Sequence, residues 1–183
     1  MIEHVLLENI TPAGVRSLVQ DLDGAVDGDV IVIRMPYNDG GDVEAAIDVL
    51  DSILETKAEV WIEIDRYVAS AAAFIYCWFF FKPMEHVRVR TLGERALIIY
   101  HRPRMCISDH IAFLEHLNEG DPYHKYLRHY TELFDSLFDL VLSSFGYEEN
   151  NGSPLTKDGT DYTHQLHHMK LAYYANQDCI FPA

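Results

Sequence analysis

Apolar residues recur along this chain at two periods, and the period switches at short polar punctuation. In "TPAGVRSLVQDLDGA", Leu18, Val19 and Leu22 keep helical spacing, Thr11 stands where a cap belongs, and Pro12 opens the helix. "DVIVIRM", Asp29 to Met35, is β-branched and predicts a strand. "PYNDGGD" reads as a turn cluster. "DVEAAIDVLDSILETK" then returns to the helical period, with Val43, Ala46, Ile47, Leu50, Ile53 and Leu54 on one face. "AEVWIEID", Ala58 to Asp65, predicts a second strand, and the Ala-rich "VASAAAFIYCWFF" a buried helix. "HVRVRT" and "RALIIYH" predict two more strands, and "HVLLENI" a first one near the start. Regular alternation of helix and strand implies an α/β fold with largely parallel strands.

After these strands the pattern is helical. "SDHIAFLEHLNEG" predicts a helix capped by Ser108 or Asp109. "PYHKYLRHYTELFDSLFDLVLSSFG" predicts a longer one opened by Pro122. Its stripe of Tyr126, Tyr130, Phe134, Leu137 and Val141 suits either a core or a contact between copies of the chain. "YEENNGSPLTKDGTD" is a polar loop, and "THQLHHMKLAYYANQD" a last short helix before "CIF". The aromatic run "YCWFFF" reads as core or as an oligomer contact.

Composition narrows the partners. The 183 residues suffice for one domain with a sizeable core. Asp and Glu number 29 against 14 Lys and Arg, for a formal net charge of -15, which repels phosphate backbones and argues against nucleic acid. Cys77, Cys106 and Cys179 are an odd count without CxxC spacing, so neither a disulfide framework nor a cysteine zinc site is expected. "MIEHVLLENI" lacks the basic start of a signal peptide. The apolar run from Ala69 to Phe81 is shorter than the roughly 20 residues that span a bilayer. A cytoplasmic setting with no membrane is therefore expected. His164, His167 and His168 share helical spacing, but no HExxH accompanies them, and a solvated or interface face is expected rather than a metal site.

Three features carry candidate chemistry. "NDGGD", Asn38 to Asp42, joins a strand to a helix, and its paired glycines allow a tight turn with exposed amides suited to an oxyanion. Neither GxGxxG nor GxxxxGK[ST] is present, and Asp39 and Asp42 speak against a phosphate site. Ser70 stands at the start of the Ala-rich helix, where an isolated serine is ordinarily a cap or a small packing residue. The functional alternative is a nucleophile with a free amide after it. His101 ends "RALIIYH" at the C-terminal end of a predicted strand, where α/β folds place their sites. An ordinary imidazole, with a pKa near ~6.5, suits a general base.

In order, "MPYNDGGDVEAAIDVLDSI", "DRYVASAAAFI" and "LIIYHRP" resemble the proteolytic subunit of the Clp protease family, ClpP. The likeness covers roughly Val30 to Pro103 closely and the remainder by helix pattern. It implies a ClpP/crotonase-type α/β fold: stacked ββα units with a helical handle, in one domain over 1–183. Residues 1–107 would be the head, 108–147 the handle, and 148–183 the loop and C-terminal head segment. It implies a serine endopeptidase without cofactor or metal, acting on peptide or protein substrates within a homo-oligomer, by analogy a ring. Ser70 matches the nucleophile, His101 the base, and Gly41 and Ala71 the two oxyanion-hole amides. Asp161 in "GTDYTHQL" matches the orienting acid, with Asp158 as its rival. Arg66 stands where the family has glycine, Asp39 replaces the proline of the glycine turn, and Ala175 replaces a glycine near the end. The Ser70–His101 interval is a few residues longer than in the family. The sequence enters its first predicted strand, "HVLLENI", almost at once, so the family's axial loops are not expected here and partnership with an ATP-driven unfoldase is an open expectation, as in a divergent, phage-type member. Two alternatives share the fold: a non-catalytic ClpP-like scaffold or regulatory subunit, and a crotonase-type acyl-CoA enzyme.

Overall fold

A computed structural model describes residues 1–147 and 162–183. The chain divides into two compact units: Met1–Tyr100 with Ile180–Ala183, and His101–Cys179. Among the described residues, no helix is long and apolar enough to cross a membrane.

The first unit is built on a sheet of β1 (Ile2–Val5), β2 (Glu8–Ile10), β3 (Val30–Gly41), β4 (Glu59–Ala69), β5 (Val87–Thr91) and β6 (Leu97–Tyr100). Spatially, β1, β3, β4 and β6 lie side by side, with β2 also on β3 and β5 also on β4. The chain's last strand (Cys179–Pro182) neighbours β6, where the Ala183 N–H donates to the Ala96 carbonyl at 3.1 Å. Strands β1 to β6 pair in parallel. Helices α1 (Pro12–Gly24), α2 (Val43–Glu55) and α3 (Ser70–Phe81) connect them. Ile31, Ile33 and Met35 on β3 and Val60, Ile62 and Ile64 on β4 are fully buried, as expected where helices cover a parallel sheet. The class is α/β, as the alternating pattern predicts.

Local chemistry sets the helix starts. Thr11 Oγ1 accepts from the Gly14 N–H at 3.0 Å, with Pro12 opening α1, and Asp42 accepts from the Ala45 N–H at 2.9 Å at the start of α2. The glycine cluster differs from the expected turn. Strand β3 runs through it to Gly41, because Asn38 pairs in register with Val68 and Gly41 with Ile10 of β2. Strand β4 likewise continues past Asp65 to Ala69. It does so through a bulge that sets Asp65 and Arg66 opposite the single residue Pro36.

A row of charges crosses this sheet. Glu63, with a side chain only 4% exposed, accepts from Arg34 Nε at 3.0 Å and from Arg90 Nη2 at 2.6 Å, and Arg34 also meets Glu3 at 3.0 Å. A carboxylate this buried needs both guanidiniums; removing its charge leaves two cations facing an uncharged site. Glu63→Gln is therefore expected to cost about 2 kcal/mol, below the usual value for a buried pair because both arginines reach solvent. Urea unfolding measures it, and a loss under about 0.5 kcal/mol, the range of ordinary surface changes, would show that the ladder adds nothing.

The second unit corrects one expectation. Ser108 and Asp109 do not cap a helix. Both lie in the left-handed region, at φ 49° and 64°, and form the two-residue turn between β7 (Met105–Ile107) and β8 (His110–Ala112), an antiparallel hairpin. Asp tolerates that conformation through local hydrogen bonding, and two successive left-handed residues suit a tight hairpin. Of the expected helix, a 3₁₀ turn at Leu114–His116 remains. Helix α4 (Pro122–Ser144) forms as predicted, with Asp121 accepting from the Tyr123 N–H at 2.8 Å. Phe134, Leu137 and Val141 of its stripe are buried within the chain, whereas Tyr126 and Tyr130 are half-buried. Helix α5 (Tyr162–Tyr174) joins the same core, its Tyr173 ring stacked on Phe138 at 3.8 Å between centroids.

Candidate active site

Strand β4 ends at Ala69 and helix α3 begins at Ser70 without an intervening loop. Ala69, still extended at φ -126°, holds the cap position and offers no side chain to the first helical amides. Ser70 is therefore not a cap. It takes φ +52°, a left-handed conformation that costs an L-residue roughly 1–2 kcal/mol and is held by its surroundings. The side chain is half-exposed, so the residue is not simply core packing either.

The glycine cluster reaches this turn. Gly40 has φ +91°, and a Cβ there would overlap the Ser70 Cβ while lying 2.7 Å from the Ala69 carbonyl oxygen and 2.9 Å from the Ala71 amide nitrogen. The glycine's missing side chain thus lets two backbones meet and leaves room beside the Ala71 amide. Asn38, fully buried, holds the cluster: its Nδ2 donates to the Leu6 carbonyl at 3.2 Å and its Oδ1 accepts from the Gly40 N–H at 2.9 Å. The Gly40 amide is thereby spent. Gly41, at φ +128°, instead pairs with Ile10, whose backbone a Cβ there would strike, and it is the Asp42 N–H that donates to the Ile10 carbonyl. Of the predicted residues, the structure therefore brings Ser70 and Ala71 together with the glycine turn. Gly40 makes the contact, a role that composition alone does not separate from that of Gly41. The Asx turn of Asn38 onto Gly40 was open to a sequence reading, since Asn bonding two residues onward is a known turn signal.

Two aromatic rings border the same stretch. Tyr37 pairs in register with Tyr67, their centroids 6.4 Å apart, and the Tyr67 hydroxyl donates to Asp39 Oδ1 at 2.7 Å. The Asp39 carboxylate raises the Tyr67 pKa by accepting that bond. Arg66 is exposed in the β4 bulge, so its side chain is not packed beneath Ser70.

His101 is the first residue of the second unit and is buried. Its Nδ1 lies 2.7 Å from the carbonyl oxygen of Arg102. A carbonyl only accepts, so Nδ1 carries the proton and Nε2 of the neutral ring is the lone-pair nitrogen. Burial lowers the imidazole pKa most; the Arg102 carbonyl raises it, Arg104 lowers it and Asp178 raises it. The ring is neutral at pH 7 and able to accept a proton. The predicted acids Asp161 and Asp158 lie outside the described residues. His167, from the histidine trio, is bonded to the Tyr147 hydroxyl at 3.1 Å.

Burial raises the Cys77 pKa strongly and pushes Cys179 up to about 11, so these two buried thiols stay protonated at neutral pH. Comparison with models of known protein families and with curated proteins finds no match for the chain.

Proposed function

We propose that the chain is a ClpP-like serine endopeptidase on a ClpP/crotonase-type fold, working as a homo-oligomer on peptide or protein substrates. The observation that carries the reading is Ser70: a non-glycine residue kept left-handed at the first position of a helix, with Gly40 in contact with it. Strain of this kind persists where the surroundings over-determine it, and it aims a side chain out of a strand-to-helix turn. The order of glycine turn, serine and strand-end histidine in the sequence supports the same reading.

Ser70 Oγ attacks the peptide carbonyl while His101 Nε2 takes its proton. The amides of Gly41 and Ala71 stabilise the oxyanion, a contribution of roughly 3 kcal/mol per donor in related chemistry. His101 then protonates the leaving amine, and water, activated by the same nitrogen, hydrolyses the acyl-enzyme. A fluorophosphonate probe added to the assembled protein should label Ser70, located by peptide mass spectrometry. Labelling at another residue overturns the reading, and absence of any labelling overturns it and favours the scaffold alternative.

A further inference from the structure

A guanidinium beside the candidate base is unusually well secured. Arg102, 12% exposed at its side chain, donates Nε to Asp135 Oδ1 at 2.9 Å and Nη2 to Asp135 Oδ2 at 2.6 Å, a bidentate pair. Its Nη1 donates to Glu115 Oε1 at 2.6 Å. Its Cζ also lies 4.8 Å from the Tyr174 ring centroid, and the Tyr174 hydroxyl donates to Asp139 at 3.0 Å. Arginine's planar fork is suited to such a clamp, because little rotamer freedom remains to be lost per bond. Pro103 follows directly, and a residue before proline is confined to extended ψ. The side chain is therefore anchored and the peptide after it restricted. That peptide carries the carbonyl that accepts from His101 Nδ1.

We propose that Arg102 is a positioning residue for His101. Clamped by Asp135 and Glu115, it fixes the carbonyl that holds the imidazole in the Nδ1–H tautomer, with Nε2 turned over to proton transfer. This rests on the reading of His101 as a base, and it gives the ring's Nδ1–H a main-chain acceptor where the ClpP resemblance expects the carboxylate of Asp161. A carbonyl cannot take up a proton, so the tautomer persists wherever the ring is neutral.

Full-length protein with Asp135→Asn or Arg102→Lys tests it, because each change removes the charged bidentate fork. Imidazole ¹⁵N shifts of His101, recorded with the ring neutral, report the tautomer independently of any activity. The intact chain should show Nδ1 protonated, and both variants a mixture of tautomers. Ser70 labelling by the fluorophosphonate should slow about tenfold or more, a fraction of the roughly 10⁴-fold cost of a wrong histidine tautomer in a serine protease. Circular dichroism checks that the variants fold. Should Asp135→Asn not fold, Arg102→Lys keeps the charge in place and decides alone. Retention of a single Nδ1–H tautomer in the folded variants overturns the proposal. Absence of labelling in the unaltered protein would instead overturn the hydrolase reading, and the ¹⁵N shifts would still decide the role of Arg102.

Discussion

Replacing Ser70 by alanine is expected to lower peptide hydrolysis on the order of 10⁶-fold, the scale seen when a serine protease loses its nucleophile. Stability should hardly change, because Ala carries the same left-handed penalty as Ser and loses no capping bond: Ala69 is the cap residue. Ser70→Gly separates chemistry from strain. It removes the same oxygen, but glycine adopts φ +52° freely, relieving roughly 1–2 kcal/mol of native-state strain against a smaller entropic cost in the unfolded chain. The net gain is about 1 kcal/mol, or about 2–4 °C in Tm for a chain of this length. Peptide hydrolysis and thermal unfolding of the three proteins measure both. A glycine variant as inactive as the alanine one but more stable would show strain kept for function. Unchanged hydrolysis in either variant would remove Ser70 from the mechanism, and an unchanged Tm in Ser70→Gly would remove the strain.

Gly40→Ala should damage both the fold and the turn that carries Ser70. The new Cβ would overlap Ser70 Cβ and crowd the Ala69 carbonyl and the Ala71 amide, three neighbours that belong to rigid backbone or sit directly on it. The left-handed φ adds roughly 1–2 kcal/mol and forced repacking typically 1–3 kcal/mol. A loss of about 3 kcal/mol or more follows. Displacement of Ser70 should also slow its labelling about 100-fold, since a shift on the order of 1 Å in a reacting group has that effect. Urea unfolding and labelling rate check the pair of effects. A variant of ordinary stability and reactivity would mean that the two backbones do not meet as described.

How far the sequence reached differs by region for physical reasons. Strongly periodic segments such as α2 and α4 were legible because burial imposes a helical repeat that local context seldom overrides. The 108–120 segment misled because its apolar residues also fit helical spacing. Two left-handed residues at Ser108 and Asp109 decided for a hairpin, and no periodicity encodes them. The glycine cluster was legible as a place of tight backbone, yet which glycine touches Ser70 depends on the twist and register of β3 against β2 and β4. Arg102 carried no sequence signal beyond its position between His101 and Pro103. Its partners Asp135 and Glu115 are distant along the chain, and they meet it only through the packing of α4 and the 3₁₀ turn.

From sequence alone came the α/β class, the Thr11 cap, the helix starts at Pro12 and Pro122, the net negative charge and the ordered set of Gly40–Gly41, Ser70 and His101. These follow from residue type and spacing, which local propensity and burial translate directly. Tertiary structure decided the rest. It put Ser70 in a strained turn rather than a cap, set Gly40 rather than Gly41 against it, and assigned the His101 Nδ1–H a main-chain acceptor. Each of those depends on backbone dihedrals and on atoms brought together across strands or turns, which are set by the whole packing of a unit.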